Sequence, residues 1–229
     1  LLAFRRWRVL LAFVPVLVGM LFGAVACVAL FGHMHVITLV LGCMAAYGLA
    51  RFRFMGRKTS AYTTLLLRTV PLAVLAVPVF MVWSQAGLIN SLSGLILLYV
   101  AVNLPFAIWL LYGFILQVPP ELEEAAAIDG CGPIQVFYKV VLPLIKPGIA
   151  AASIFTFRIA WNEFILALVL TDRATRTLPV AASLYITDIG VDWGKIMALG
   201  SLIAIPPLIF TFIAARQIIT GLTAGAVKG

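Results

Sequence analysis

Half of the chain's eight carboxylates lie within nine residues, at Glu121, Glu123, Glu124 and Asp129. Clustered carboxylates can transfer protons or bind a metal ion, but both roles need further titratable or metal-ligating partners. No histidine pair or cysteine pair accompanies this cluster in the sequence. The composition of the cluster therefore favours the docking of a soluble partner protein over catalysis.

The cysteines and histidines offer little other chemistry. Cys27, Cys43 and Cys131 are far apart, two of them in apolar runs, so we expect neither a disulfide nor a metal site. His33 and His35 are two residues apart and would point in different directions on a helix.

The residues around the carboxylates predict two short helices. Pro119-Pro120 suits the first turn of a helix, and the glutamates then lie near its positive dipole end. Ala125-Ala126-Ala127 favours a helix and leaves room for another backbone to approach. Gly130 is placed to end this helix, and a second is expected from about Pro133 to Val141. We refer to residues 117–147 as the acidic segment.

Adsorption of the acidic segment on the bilayer surface is the alternative to protein docking. Anionic headgroups would repel its three glutamates, which makes adsorption the weaker interpretation.

The composition of the whole chain predicts a membrane protein. Of its 229 residues, 64% are hydrophobic and 10% charged, and the mean hydropathy is +1.15. Soluble domains are about half apolar and about a quarter charged. The net charge of +8 could suggest nucleic acid, but the cations lie between apolar runs rather than in a basic stripe. We expect no nucleic-acid partner.

The fold class is predicted to be all-α: a single polytopic domain, residues 1–229, with about six transmembrane helices. The apolar runs lie at about residues 9–31, 36–50, 62–83, 92–116, 148–170 and 196–215. The junction near Gly32-His33 would be a very short turn and the second run is short. Five spans with a re-entrant or long first element therefore remain an alternative. The chain begins with Leu and no cleavage site follows the first run, so we expect a truncated start without a removable signal.

The distribution of cations predicts the orientation in the membrane. With six spans, eleven cations lie on the side of the N-terminus and three on the other side. Because cationic loops stay in the cytoplasm, both termini and the acidic segment are predicted to be cytoplasmic.

The acidic segment resembles the EAA loop of bacterial ABC importer permeases. The resemblance rests on the run from Glu124 to Gly130 (Glu-Ala-Ala-Ala-Ile-Asp-Gly), followed by Phe137 and by Leu142-Pro143. Residues 103–106, 160–164 and 221–229 are similar to the carbohydrate-uptake branch, most of all to its maltose-type second permease. The resemblance runs from about Cys43 to the end of the chain.

The resemblance implies a transport subunit, not an enzyme, in a bacterial inner membrane. It implies four partners: a homologous second permease, two cytoplasmic ATPase subunits and an extracytoplasmic solute-binding protein. ATP and Mg would be bound by the ATPase, and the chain has no Gly-Lys-Ser/Thr phosphate-binding motif. In that family the EAA loop docks on the ATPase. The residues implied to dock are Glu124, Ala125, Ala126, Asp129, Gly130, Phe137, Leu142 and Pro143.

Within this loop the resemblance assigns roles to single residues. Glu124 would face basic residues of the ATPase, and Ala125 and Ala126 would allow close approach. Asp129 and Gly130 would shape the turn. The cargo would be a sugar; a permease for a polyol or glycerol phosphate is the alternative. A secondary transporter is less favoured, because we detect no internal repeat.

Two places depart from the family pattern. The region around Ala26-Cys27 lacks the usual extracytoplasmic segment and its Asn-Ser. Arg158 stands where relatives usually carry an apolar residue.

Polar residues inside the apolar runs are candidates for the translocation path, because such groups cost several kcal/mol in a membrane unless they are paired or face water. They are Asn103, Trp161, Asn162 and Glu163, and Arg158 shares a helical face with Asn162. Hydrogen bonding between helices is the alternative for Asn162 and Glu163, and a packing or interface role is the alternative for Trp161. Neighbouring helical positions differ by about 100°, so residues 161–163 cannot all face one cavity.

Arg68 is expected to snorkel to the cytoplasmic surface, with a gating role as the alternative. Pro71, Pro78 and Pro206-Pro207 are expected to kink their helices.

Overall fold

Most of the chain is helical, as expected where backbone polar groups must be satisfied away from water. The computed structural model describes residues 31–188 and 190–226, with side-chain detail up to residue 213. Within these residues ten helices are named α1 to α10, and a two-stranded hairpin precedes the last. The helices are Phe31–Arg51, Arg57–Thr69, Leu72–Gln85, Leu92–Leu116, Pro120–Ile128, Pro133–Leu144, Lys146–Trp161, Ile165–Leu170, Leu178–Ser183 and Trp193–Ala226. The antiparallel strands are β1 (Ile186–Thr187) and β2 (Gly190–Val191).

The first of the six predicted spans, residues 9–31, lies outside the described residues except for Phe31. By length and composition α1, α4 and α10 can each cross a membrane. The bent pairs α2–α3 and α6–α7 raise the total to five candidates among the described residues. Helix α4, Leu92–Leu116, has the bounds that the sequence predicted.

The run at residues 62–83 is not one continuous span, which corrects the sequence prediction. It breaks at Val70-Pro71, where α2 and α3 meet at 98°. Val70 is extended (ψ 120°) because the ring of Pro71 disfavours helical geometry in the residue before it. The kink expected at Pro71 is therefore a full break, whereas Pro78 lies inside α3.

The run at residues 148–170 is also broken. Helix α7 ends at Trp161 and the short α8 begins at Ile165, so the predicted continuous fifth span is wrong. The turn predicted near Gly32-His33 is wrong as well, because both residues are helical in α1.

The core lies between α1, α4 and α7. One buried cluster includes Phe31, Leu98 and Trp161, and a second includes Ala46, Leu111 and Ile145. Gly148 lets α7 approach α4 closely, since a Cβ atom there would lie 2.4 Å from Cγ of Phe114. Helix α7 also packs against α10, and α3 against α8.

Asn90 ties together the loops at the first end of α4. Its backbone N–H donates to the Leu170 carbonyl, and its Oδ1 accepts from the Asp172 N–H and the Thr175 hydroxyl. The acidic segment follows the other end of α4. The loop after α8 and the acidic segment therefore lie at opposite ends of α4, as the topology prediction required.

Much apolar surface faces outward. No residue of α10 between Trp193 and Ile213 is buried, and α3 likewise buries none of its residues. These faces need lipid or another subunit to cover them.

Candidate docking surface and intramembrane polar residues

The first helix of the acidic segment, α5, has well-defined ends. Pro119 is extended and Pro120 occupies the first helical position. At the other end Gly130 has φ +87°, a conformation that glycine adopts without strain. The Gly130 N–H donates to Ala127 O (3.1 Å) and the Cys131 N–H to Ala126 O (3.0 Å). These two bonds form a Schellman motif, so the helix end predicted at Gly130 is confirmed.

The second helix, α6, begins at Pro133 as predicted but continues to Leu144, beyond the predicted end at about Val141. It contains one π-helical turn, Phe137–Val141. Gln135 Oε1 accepts a hydrogen bond from the Gly132 N–H and stabilises the start of the helix.

The outer face of the acidic segment combines small, apolar and acidic side chains. Glu124, Ala125 and Ala127 are exposed. The side chain of Ile128 is 87% exposed and that of Ile134 is 83% exposed. Exposed apolar side chains do not stabilise an isolated protein in water. Such a surface is therefore typical of a docking site.

The residues matched to the EAA pattern divide into two groups in the structure. Glu124, Ala125, Asp129, Gly130 and Pro143 are exposed, and Ala126 is half-buried. Phe137 and Leu142 instead pack inward against the second core cluster.

Glu123 lies outside the EAA pattern, and unlike its exposed neighbours it faces the rest of the permease. Its carboxylate accepts hydrogen bonds from Arg51 Nε (2.6 Å) and from the Tyr47 hydroxyl (3.0 Å), both on α1. The only sequence signal was the i, i+4 placement of Tyr47 and Arg51 at the end of a helix. Nothing in a single sequence linked that pair to a residue more than seventy positions away.

Glu163 caps the short helix α8. Its Oε1 accepts from the Leu166 N–H (2.8 Å) and its Oε2 from the Ala167 N–H (2.9 Å). The Tyr99 hydroxyl also donates to Oε2, at 3.3 Å. Glu163 is buried, and its carboxylate satisfies backbone groups that the break between α7 and α8 leaves open.

The other three intramembrane candidates do not converge on one site. The indole N–H of buried Trp161 donates to the Ile203 carbonyl of α10 (3.0 Å). Buried Asn103 donates to Tyr99 O (2.8 Å). Asn162 is exposed, donates to Arg158 O and lies on the outer face with Arg158. The divergence expected of residues 161–163 is therefore present.

Other polar residues have local partners. His35 hydrogen-bonds to Ser153 and Thr156 of α7, and the Arg68 guanidinium lies 3.9 Å from the Phe106 ring centroid. Cys43 and Cys131 are free thiols. Within the described part of the chain, no three histidine, cysteine or acidic side chains are grouped to hold a metal ion.

Comparison with known proteins places this arrangement in a family. Residues 38–222 match the family described as "binding-protein-dependent transport system inner membrane component". The chain is 43% identical to the diacetylchitobiose uptake system permease protein DasC of Streptomyces coelicolor over 195 residues, 85% of this chain and 71% of that protein. It is 42% identical to the trehalose transport system permease protein SugB of Mycobacterium tuberculosis, over 85% of this chain and 72% of that protein.

Solved structures support the fold. An inward-facing structure of the MetNI methionine ABC transporter aligns with a TM-score of 0.72 at 20% identity, covering 90% of this chain and 98% of that chain. A bacterial ABC transporter that imports alginate aligns with a TM-score of 0.59 at 21% identity, covering 82% of this chain and 75% of that chain. The chain belongs to the inner-membrane components of binding-protein-dependent transport systems and is a permease subunit of an ABC importer.

Proposed function

We propose that this permease translocates a carbohydrate by alternating access, and that the acidic segment docks on a cytoplasmic ATPase and couples ATP hydrolysis to transport. The observation that carries the coupling role is the exposed face of Glu124, Ala125 and Ile128 on α5. Small side chains permit close backbone approach, and Glu124 supplies a charge for basic residues of the partner.

The complete transporter in this proposal contains a homologous second permease, two ATPase subunits and an extracytoplasmic solute-binding protein. The unburied faces of α3 and α10 provide surface for the second permease and for lipid. ATP and Mg bind the ATPase subunits, and this chain needs no cofactor of its own.

Both termini and the acidic segment are cytoplasmic in this proposal. The cation distribution supports that orientation. The loops after α3 and α8, which Asn90 links at the far end of α4, then face the binding protein.

The carbohydrate cargo is supported by the relatives named for diacetylchitobiose and trehalose. A polyol or glycerol phosphate is the second candidate. We propose that exposed Asn162 lines the path. Beside that path, Trp161 bonds to α10, Glu163 accepts from Tyr99 of α4, and Asn103 bonds within α4.

The docking role is tested by Glu124→Lys in the assembled transporter, with Glu121→Lys as the matched control. Both residues are exposed on α5 and both changes alter the charge equally. We expect Glu124→Lys to abolish ATPase co-purification and uptake, while the permease remains folded in the membrane. Retention of both by Glu124→Lys would refute the docking role.

The cargo is tested with the solute-binding protein that works with this permease. Calorimetric titration with diacetylchitobiose, trehalose, a polyol and glycerol phosphate, followed by uptake into proteoliposomes, should select a carbohydrate. Selection of glycerol phosphate would overturn the carbohydrate assignment but leave the permease assignment intact.

A further inference from the structure

We propose that Glu123, Arg51 and Tyr47 form a clamp that makes the acidic segment move as one body with α1 and α4. The inference rests on the proposed coupling role and assigns Glu123 a positioning task distinct from the docking task of Glu124. Glu124 would thus face the ATPase, and Glu123 would face the rest of the permease.

Arg51 joins the ends of three helices. It is the last residue of α1, and its Nε donates to Glu123 Oε1 on α5 at 2.6 Å. Its Nη2 donates to the carbonyls of Ile115 (3.0 Å) and Val118 (2.7 Å), which flank the C-terminus of α4. A single guanidinium therefore satisfies open carbonyls of one helix while holding the start of another.

Tyr47 connects α1 to both helices of the acidic segment. Its hydroxyl donates to Glu123 Oε2 on α5, and its ring lies 4.8 Å from the Phe137 ring on α6, centroid to centroid. Because both halves of the segment are held by the same turn of α1, they cannot tilt independently of it.

The environment strengthens the ion pair. The side chains of Arg51 and Glu123 are 17% and 12% exposed, so solvent screens them weakly. Glu123 lies near the positive end of α5 and Arg51 at the negative end of α4. The pair Asp192–Lys195 is more exposed, at 44% and 61%, and links residues three apart within one stretch of chain. Of the three ion pairs in the described part of the chain, Arg51–Glu123 is the one that connects distant elements.

Loss of the clamp changes how force passes from the ATPase to α1 and α4. The outward face of α5 is unaffected when the clamp is lost, so the ATPase still binds through Glu124. The force from ATPase closure then bends the acidic segment instead of displacing α1 and α4. Loss of the clamp therefore uncouples ATP hydrolysis from transport without dissociating the ATPase from the permease.

The test uses the full transporter in proteoliposomes, with Glu123→Gln and its matched control Glu121→Gln. Glutamine keeps the size of Glu123 and removes its charge. We expect normal ATPase co-purification in both variants, and a lower ratio of cargo transported to ATP hydrolysed only in Glu123→Gln. Hydrogen exchange at the amides of residues 122–128 should accelerate roughly 10- to 100-fold, the range that corresponds to one charge-assisted hydrogen bond.

A charge reversal separates the clamp from general damage to the fold. Arg51→Glu and Glu123→Arg should each accelerate exchange, and the double variant should restore part of the protection and of the transport ratio. Unchanged exchange and an unchanged transport ratio in Glu123→Gln would overturn the proposal, as would loss of the ATPase from that variant. The exchange measurement needs no cargo, so it tests the clamp even where the carbohydrate assignment fails.

Discussion

Replacing Glu163 tests whether it caps α8 or binds cargo. Its two carboxylate oxygens each accept one backbone N–H, from Leu166 and Ala167. In Glu163→Gln, one oxygen becomes an NH2 group that cannot accept, so one buried N–H loses its partner at a cost of roughly 1–3 kcal/mol. Glu163→Leu removes both acceptors, which costs roughly 2–6 kcal/mol if the two contributions add.

The assay is thermal unfolding of the assembled transporter in lipid nanodiscs. We expect the midpoint to fall in the order wild type, Glu163→Gln, Glu163→Leu. Asn162→Leu is the matched control, because that neighbour is exposed and bonds only to Arg158 O of its own helix. It should unfold close to the wild-type midpoint.

The opposite pattern would refute the reasoning. If both Glu163 variants unfold like the wild type and instead raise the KM for cargo, then Glu163 contacts cargo and the capping role is wrong.

Three further predictions concern single positions. Gly148→Ala should lower the unfolding midpoint because the added Cβ meets Phe114, a strain of about 1–3 kcal/mol, whereas Gly113→Ala has open space and should not; equal midpoints would contradict the close approach of α7 to α4. Gly130→Ala should weaken ATPase binding in a pull-down titration, because φ +87° costs a non-glycine residue about 1–2 kcal/mol and distorts the end of α5; unchanged binding would show that this turn does not shape the docking face. Asn162→Ala should change the KM or kcat of uptake while leaving the unfolding midpoint in place; unchanged kinetics would remove Asn162 from the path.

The sequence predicted features that depend on local chemistry. The bounds of α4 follow from the length of its apolar run. The ends of α5 follow from Pro119-Pro120 and Gly130, because proline favours the start of a helix and glycine favours its end. The acidic segment stood out because carboxylates are rare elsewhere in the chain.

Helix direction was not predictable from hydropathy. An apolar run records how much chain lies in lipid, so residues 62–83 and 148–170 looked continuous although the structure breaks both. A local signal existed at Val70-Pro71, where proline excludes helix from the preceding residue. At residues 162–164 the local signal was Glu163. In the sequence it is only a charge inside an apolar run, and its role as the cap of α8 is seen only in the structure.

Pairings between distant residues were beyond the sequence. In the sequence, Arg51 is one of eleven cations predicted to be cytoplasmic, and Glu123 is one of three glutamates near the start of a predicted helix. Their 2.6 Å contact arises because α1, α4 and α5 meet at one point, which is a property of the packing and not of either local sequence.

The central claim, that the acidic segment docks on an ATPase, is tested most directly by photocross-linking from position 128 in cell membranes. A benzophenone amino acid at Ile128 would project from an exposed position on α5. The same amino acid at Trp193 would project from the start of α10, at the predicted opposite side of the bilayer. We expect an adduct with the ATPase subunit from position 128 and none from position 193. Adducts from position 128 with lipid alone, or ATPase adducts from position 193, would contradict the central claim.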